Sequence, residues 1–274
     1  DRNMRIRCLI VAVVLMLVLL GQLMNDAHAA TLKPTRRPLA LEKAVAIANA
    51  YVMGVLSGAP SFSMLKQAKF NLVGTIATQT WGALDWSKAK KWVQSAHAAG
   101  FQVFVDLDLT YPKPASDIMI AAQLARSAVS AGFDIVALDE LLAQFNPTRE
   151  QLVSIIEAGL SVKSTLRFFL NEYTPDLVKT AYEWTASYPT VQIATDDYNR
   201  LSTIDLGIQL ANQYGKKPLV WLLFTQGSQS FDCYSNLQQW LAYVQPLQVG
   251  ALFWYIDGDG TWKINWNLVV NFRG

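Results

Sequence analysis

The sequence predicts an α/β fold, a single-domain (β/α)8 TIM barrel, on three observations. Continuous apolar runs alternate with helix-like stretches, the runs number eight, and the 274 residues suit a fold that typically takes about 250. Apolar runs without alternation imply strands buried on both faces, and strand–helix alternation implies parallel pairing.

The eight expected strands are, in order, "YVMGVLSG" (51–58), "FNLVGTIAT" (70–78), "FQVFVDLDL" (101–109), "FDIVALDE" (133–140), "LRFFLNEY" (166–173), "VQIATDDY" (191–198), "PLVWLLFTQ" (218–226) and "VGALFWYID" (249–257). The first is the least distinct, because "ALEKAVAIANAYVMGVL" also reads as one long helix, which leaves a seven-stranded or doubly wound sheet as the alternative. Between the runs, "SKAKKWVQSAHAAG", "SDIMIAAQLARSAVSAG" and "STIDLGIQLANQYG" carry apolar residues at helical spacing. Each ends in a glycine suited to a left-handed cap.

The chain ahead of the barrel reads differently. Met4-Arg5-Ile6-Arg7 is a basic start, an apolar run follows from Cys8 to Leu20, and Ala27-His28-Ala29 is a small-residue cleavage pattern. Residues 1–29 are therefore expected to be a secretory signal peptide, with residues 1–3 an upstream remnant. Residues 30–39 form a proline-containing linker, and 40–274 form the barrel. The expected location is outside the cytoplasm, with membrane contact only through an uncleaved signal segment.

Net charge is +2 and no long basic run occurs, so nucleic acid is not an expected partner. Cys233 alone remains after signal removal, which excludes an intrachain disulfide. The mature chain holds one histidine, His97, so neither a histidine-containing triad nor a histidine-rich zinc site is expected. "DGDGTW" from Asp257 lacks the spacing of a calcium loop. No metal and no cofactor are implied, and the chain is expected to be a monomer.

Polar residues gather where the strands end, the rim on which barrel enzymes place their chemistry. Asp106 and Asp108 end the third strand, Asp139 and Glu140 the fourth, Asn171 and Glu172 the fifth. Asp196, Asp197 and Tyr198 end the sixth, Gln226 the seventh, and Trp254, Tyr255 and Asp257 the eighth, with Trp81 following the second. Aspartates at strand-to-helix junctions also serve as helix caps, a competing explanation for Asp108 and Asp196. Adjacent strand residues face opposite sides, so Asp139 and Glu140 cannot both face the axis unless the strand is bulged.

Paired carboxylates are what glycosidic cleavage needs, one to protonate the leaving oxygen and one to attack or activate water. Asp139 is expected to be nucleophile or electrostatic stabiliser, with Glu172 the leading general acid and Glu140 the alternative. The other rim residues would orient the sugar, and Trp254 would stack beneath a ring.

On these motifs the sequence resembles glycoside hydrolase barrels, most closely the chitinase-like family 18. "GVLSGAPSFSMLKQAKFNLVGTIA", "GALDW" and "AHAAGFQVFVDL" are similar to that family's first three strands. "TDDYN" implies a sugar-binding role for Asp197, and "GALFWYIDGDG" implies that Trp254 floors the site. The family's fourth-strand pattern, G-F-D-G-x-D-x-D-x-E, matches Gly132, Phe133, Asp134 and Asp139 but meets Ala137 at its middle aspartate and Leu141 at its glutamate. A second resemblance, to family 114 and spherulin-like barrels, fits "GFDIVALD" to G-F-D-G-x-x-L-D without a gap and implies a catalytic Asp139. Together they imply a polysaccharide or oligosaccharide ligand, amino-sugar containing. The missing glutamate leaves open a catalytically silent, lectin-like barrel.

Overall fold

The computed structural model describes residues 41–47, 52, 60–78, 84–109, 117–196, 201–224, 237–247 and 249–255. Eight parallel strands close into a barrel in sequence order: β1 (Lys43–Ile47), β2 (Leu72–Thr78), β3 (Gln102–Asp108), β4 (Ile135–Asp139), β5 (Arg167–Glu172), β6 (Val191–Asp196), β7 (Leu219–Phe224) and β8 (Gly250–Tyr255). The helices among the described residues are α1 (Phe62–Gln67), α2 (Trp86–Ala98), α3 (Ile120–Ala131), α4 (Leu141–Phe145), α5 (Arg149–Leu160), α6 (Pro175–Trp184), α7 (Leu201–Gln213) and α8 (Leu237–Val244).

Seven strands lie inside the runs expected for them. The first does not: β1 is "KAVAI", upstream of the expected 51–58, and pairs with β2 and β8. Of the expected segment, 51 and 53–58 lie outside the described residues, and Val52 is helical. Alanine-rich "KAVAI" has the local preference of a helix, but Ala44, Val45, Ala46 and Ile47 are at most 2% exposed. Pairing on both edges and burial on both faces override that preference.

The terminal glycines of the three quoted stretches do adopt the left-handed conformation, with φ of 80° at Gly100, 99° at Gly132 and 64° at Gly215. Asp85, Thr148 and Thr174 cap the starts of α2, α5 and α6 with side-chain oxygens, and Thr148 forms a reciprocal capping box with Gln151.

Contacts across the barrel interior identify the inward face. Phe104 of β3 meets Phe169 of β5 with ring centroids 6.2 Å apart, and a Cβ added to Gly74 of β2 would lie 2.4 Å from the Phe104 ring. At the amino-terminal end of the strands, Arg167 donates to Glu42, Gln192 and Gln102, and Gln192 donates to Glu42 at 3.0 Å. The barrel is thus filled by a polar plug at one end and aromatic rings in the middle. Outward-facing side chains meet the helices: Phe168 packs where α5 has Gly159, and Thr195 where α7 has Gly207.

Candidate active site

Strand register carries the inward face up to the rim. Phe104 lies beside Ile135 and Arg167, Asp106 beside Ala137 and Phe169, and Asp139 beside Asn171. Asp106, Asp139 and Asn171 therefore share the interior with Phe104 and Phe169, at the carboxyl-terminal ends of three adjacent strands. Asp108, two residues beyond Asp106, follows the same alternation and is half-buried.

Asp139 is half-buried, and its Oδ1 accepts a hydrogen bond of 2.8 Å from Asn171 Nδ2. The amide of a fully buried Asn171 thus fixes the carboxylate's orientation. Below it, Asp106 is fully buried, and neither carboxylate oxygen has a hydrogen-bond partner among the described residues. Burial, then the charges of Asp139, Asp108 and Glu140, push the Asp106 carboxyl well above the ordinary range. Burial there favours the neutral form of the carboxyl over the charged one.

Glu140 ends β4 in the left-handed region, with φ 46° and ψ 34°. Its amide still donates to Asn171 O at 3.1 Å, while its side chain accepts from Gln144 Nε2 at 2.8 Å. The chain turns here by a left-handed residue rather than through the bulge considered from sequence. A positive φ at a non-glycine residue is locally strained, and such strain concentrates at functional sites. Glu140 remains half-buried at the rim.

Glu172 does not join the interior acids, contrary to the expectation that it is the leading general acid. Its register partner is the outward-facing Thr195, and its Oε1 accepts from the Leu142 amide at 2.8 Å. It caps the start of α4 from the helix side of the sheet. The other oxygen, Oε2, is buried without a partner among the described residues. Burial raises its carboxyl to about 8; Glu140 adds to the rise, and hydrogen bonds from the Leu142 and Ala143 amides oppose it.

The sequence reading missed α4, and with it the amides that hold Glu172. Strict alternation along β5 was the available signal, since it puts Asn171 and Glu172 on opposite faces. Asp134, matched to a family motif, sits at the opposite end of β4. There it accepts from the Val103 amide at 3.0 Å and pairs with His97 at 2.7 Å and Lys163 at 3.1 Å.

The backbones of Asp196, Trp254 and Tyr255 end β6 and β8, while their side chains lie outside what is described. Asp197, Tyr198, Gln226, Asp257 and Trp81 also lie outside the described residues. Among the described residues no group of three His, Cys, Asp or Glu side chains could hold a metal ion, and no helix is long and apolar enough to cross a membrane.

No protein-family model and no curated protein matches the sequence. Solved structures do match. The mannohexaose complex of a Thermomonospora fusca β-mannanase is 14% identical with a TM-score of 0.61, covering 81% of this chain and 80% of that one. The Ignisphaera aggregans GH53 catalytic domain is 14% identical with a TM-score of 0.55, covering 80% and 86%. An HpcH/HpaI aldolase from Desulfitobacterium hafniense is 9% identical with a TM-score of 0.50, covering 80% and 87%. The chain shares its (β/α)8 barrel with these enzymes, glycoside hydrolases among them.

Proposed function

We propose that the chain is a glycoside hydrolase that cleaves an extracellular or cell-wall polysaccharide, amino-sugar containing, at the carboxyl-terminal rim of its barrel. One observation carries this reading: an Asp139 oriented by Asn171 faces the interior above a fully buried Asp106, whose carboxyl is pushed by burial well above its ordinary range. Neighbouring carboxyls, one of them pushed towards its neutral form by burial, are an arrangement that acid–base chemistry on a glycosidic bond can use. The alignment of "GFDIVALD" with the family 114 pattern, gapless but with Ile135 at its second glycine, and the glycoside hydrolases among the structural neighbours support it.

In this scheme the Asn171 amide orients the Asp139 carboxylate towards the anomeric carbon, where it acts as nucleophile or charge stabiliser. Glu140, at the rim and only half-buried, takes the proton-donor role, because Glu172 is committed to the start of α4. Asp106 is too buried to touch a sugar; it is a positioning residue whose burial favours its neutral form and so limits the charge packed into the interior. Asp108 and Asp197 with Tyr198 orient hydroxyl or amide groups, and Trp254 supplies a stacking face. The scheme uses no cofactor. The amino-terminal 29 residues direct the chain out of the cytoplasm as a cleaved signal.

The test is reducing-end release from chitin, peptidoglycan, galactosaminogalactan and β-glucan by the purified chain and its Asp139→Asn and Glu140→Gln variants. Release by the parent that falls at least about 100-fold in either variant supports the scheme. A second reading, a lectin-like barrel, is favoured by Leu141 standing at the family 18 glutamate position. No release from any polymer, with binding to one retained, would establish it.

A further inference from the structure

Helices α2 and α3 carry a charge imbalance that the barrel does not need. α2 contains Lys88, Lys90 and Lys91, α3 contains Arg126, and neither helix contains an aspartate or glutamate, in a chain of net charge only +2. Asp85, at the start of α2, is occupied by the Ser87 and Lys88 amides and the Ser87 hydroxyl.

Between the two helices lies an open groove of about 430 Å³, lined by Trp86, Lys90, Gln123, Arg126, Ser127 and Ser130 among others. Lys90 and Arg126 are exposed, and neither side chain has an acidic or hydrogen-bonding partner among the described residues. The Trp86 ring is held edge-on to Phe133, with centroids 6.4 Å apart and planes at 87°, so its orientation is set by the core.

We infer that the groove between α2 and α3 is a second saccharide site, separate from the barrel mouth, that takes a carboxylate-bearing sugar strand such as an oligouronate. Each part of the groove has a counterpart in that ligand. The indole offers an apolar face to the C–H face of a pyranose ring. Lys90 and Arg126 supply charge-assisted hydrogen bonds to a carboxylate, and the guanidinium does so in bidentate fashion. Gln123 and Ser127 provide neutral donors and acceptors of the kind that hydroxyls use, and Ser130, whose hydroxyl donates to the Arg126 carbonyl at 2.9 Å, an acceptor. Nucleic acid would call for a longer basic track than two cations, and a bilayer for a convex apolar face in place of a groove edged by two cations.

This inference stands apart from the hydrolase reading, since a lectin-like barrel has equal use for such a groove. The experiment is calorimetric titration of the purified chain with a galacturonate hexamer, with its neutral methyl ester as control. Variants are Lys90→Gln/Arg126→Gln, Trp86→Ala, Trp86→Phe and Asp139→Asn. The expected result is binding of the acid form that weakens at least about tenfold for the ester, for the double variant and for Trp86→Ala. Trp86→Phe, which keeps a ring against Phe133, should retain most of it, and Asp139→Asn all of it.

Unchanged affinity in the double variant overturns the inference. So does loss of binding in Asp139→Asn alone, which would place the ligand in the barrel mouth. Tighter binding of oligothymidine or of anionic vesicles at the same salt, with the same dependence on Lys90 and Arg126, would assign the groove to those partners instead.

Discussion

Glu172 and Asp139 are neighbours across a strand pair, yet they do opposite work because a β-strand turns successive side chains to opposite faces. Asp139 falls inward beside Asn171, whereas Glu172 falls outward under α4. A carboxyl buried there with its folded value raised to about 8 binds its proton more tightly in the folded chain than in the unfolded one. The sign follows: its contribution to stability is full below the unfolded value of 4.5 and is lost as pH rises towards about 8. Chemical denaturation of the parent should therefore show a midpoint that declines between those limits, and Glu172→Gln should flatten the decline. An equal slope in both proteins would show that Glu172 ionises freely. Because Glu172 caps α4 rather than facing the interior, the same substitution should leave any hydrolysis far less affected than Asp139→Asn does.

Elements here are finished by backbone groups that borrow side chains from elsewhere. After α7, Lys216 sends its ammonium to the carbonyls of Thr185, Tyr188 and Val191, at 3.1, 2.7 and 2.8 Å, tying the end of α6 to the start of β6. Lys216→Met keeps the aliphatic stem and leaves three part-buried acceptors without this donor. Loss of hydrogen bonds to a charged group predicts destabilisation of about 2 kcal/mol, read as a shift in urea midpoint with unchanged slope. Such a lysine was invisible to sequence reading, falling between the capping Gly215 and the seventh run that begins at Pro218. The capping glycines were legible because their requirement is local: a left-handed residue at a helix end needs no Cβ. The Lys216 contacts are not local, and nothing near position 216 announces three carbonyls supplied from 25 to 31 residues away.

At the level of the whole barrel, Glu42 and Arg167 meet across the interior although 125 residues separate them. Glu42 is 6% exposed and also accepts from Gln192, so the pair closes the end of the barrel opposite the candidate site. Removing the cation alone should be severe: Arg167→Met leaves a buried carboxylate with one neutral donor and predicts a loss of about 3–5 kcal/mol. Replacing both members, with Glu42→Leu beside Arg167→Met, should recover much of that loss. A thermal unfolding series on the two variants decides it, and equal destabilisation by the single and double changes would show that the plug acts through packing rather than charge.

Eight apolar runs separated by helical periodicity were enough to determine the barrel from sequence, because a run buried on both faces and a helix with one apolar stripe each leave a repeating signature. The same signature located seven strands and the acids at their ends. Tertiary structure decided the rest. It placed β1 at Lys43–Ile47 against local helix preference, through pairing on two edges. It also sorted the acids by face, turning Glu172 from an expected proton donor into a cap for α4 and burying Asp106 beside Asp139, where its carboxyl is pushed up. Which carboxyls share a space, and which of them keep a proton, depends on strand register and burial, and those arise only when distant segments close the barrel.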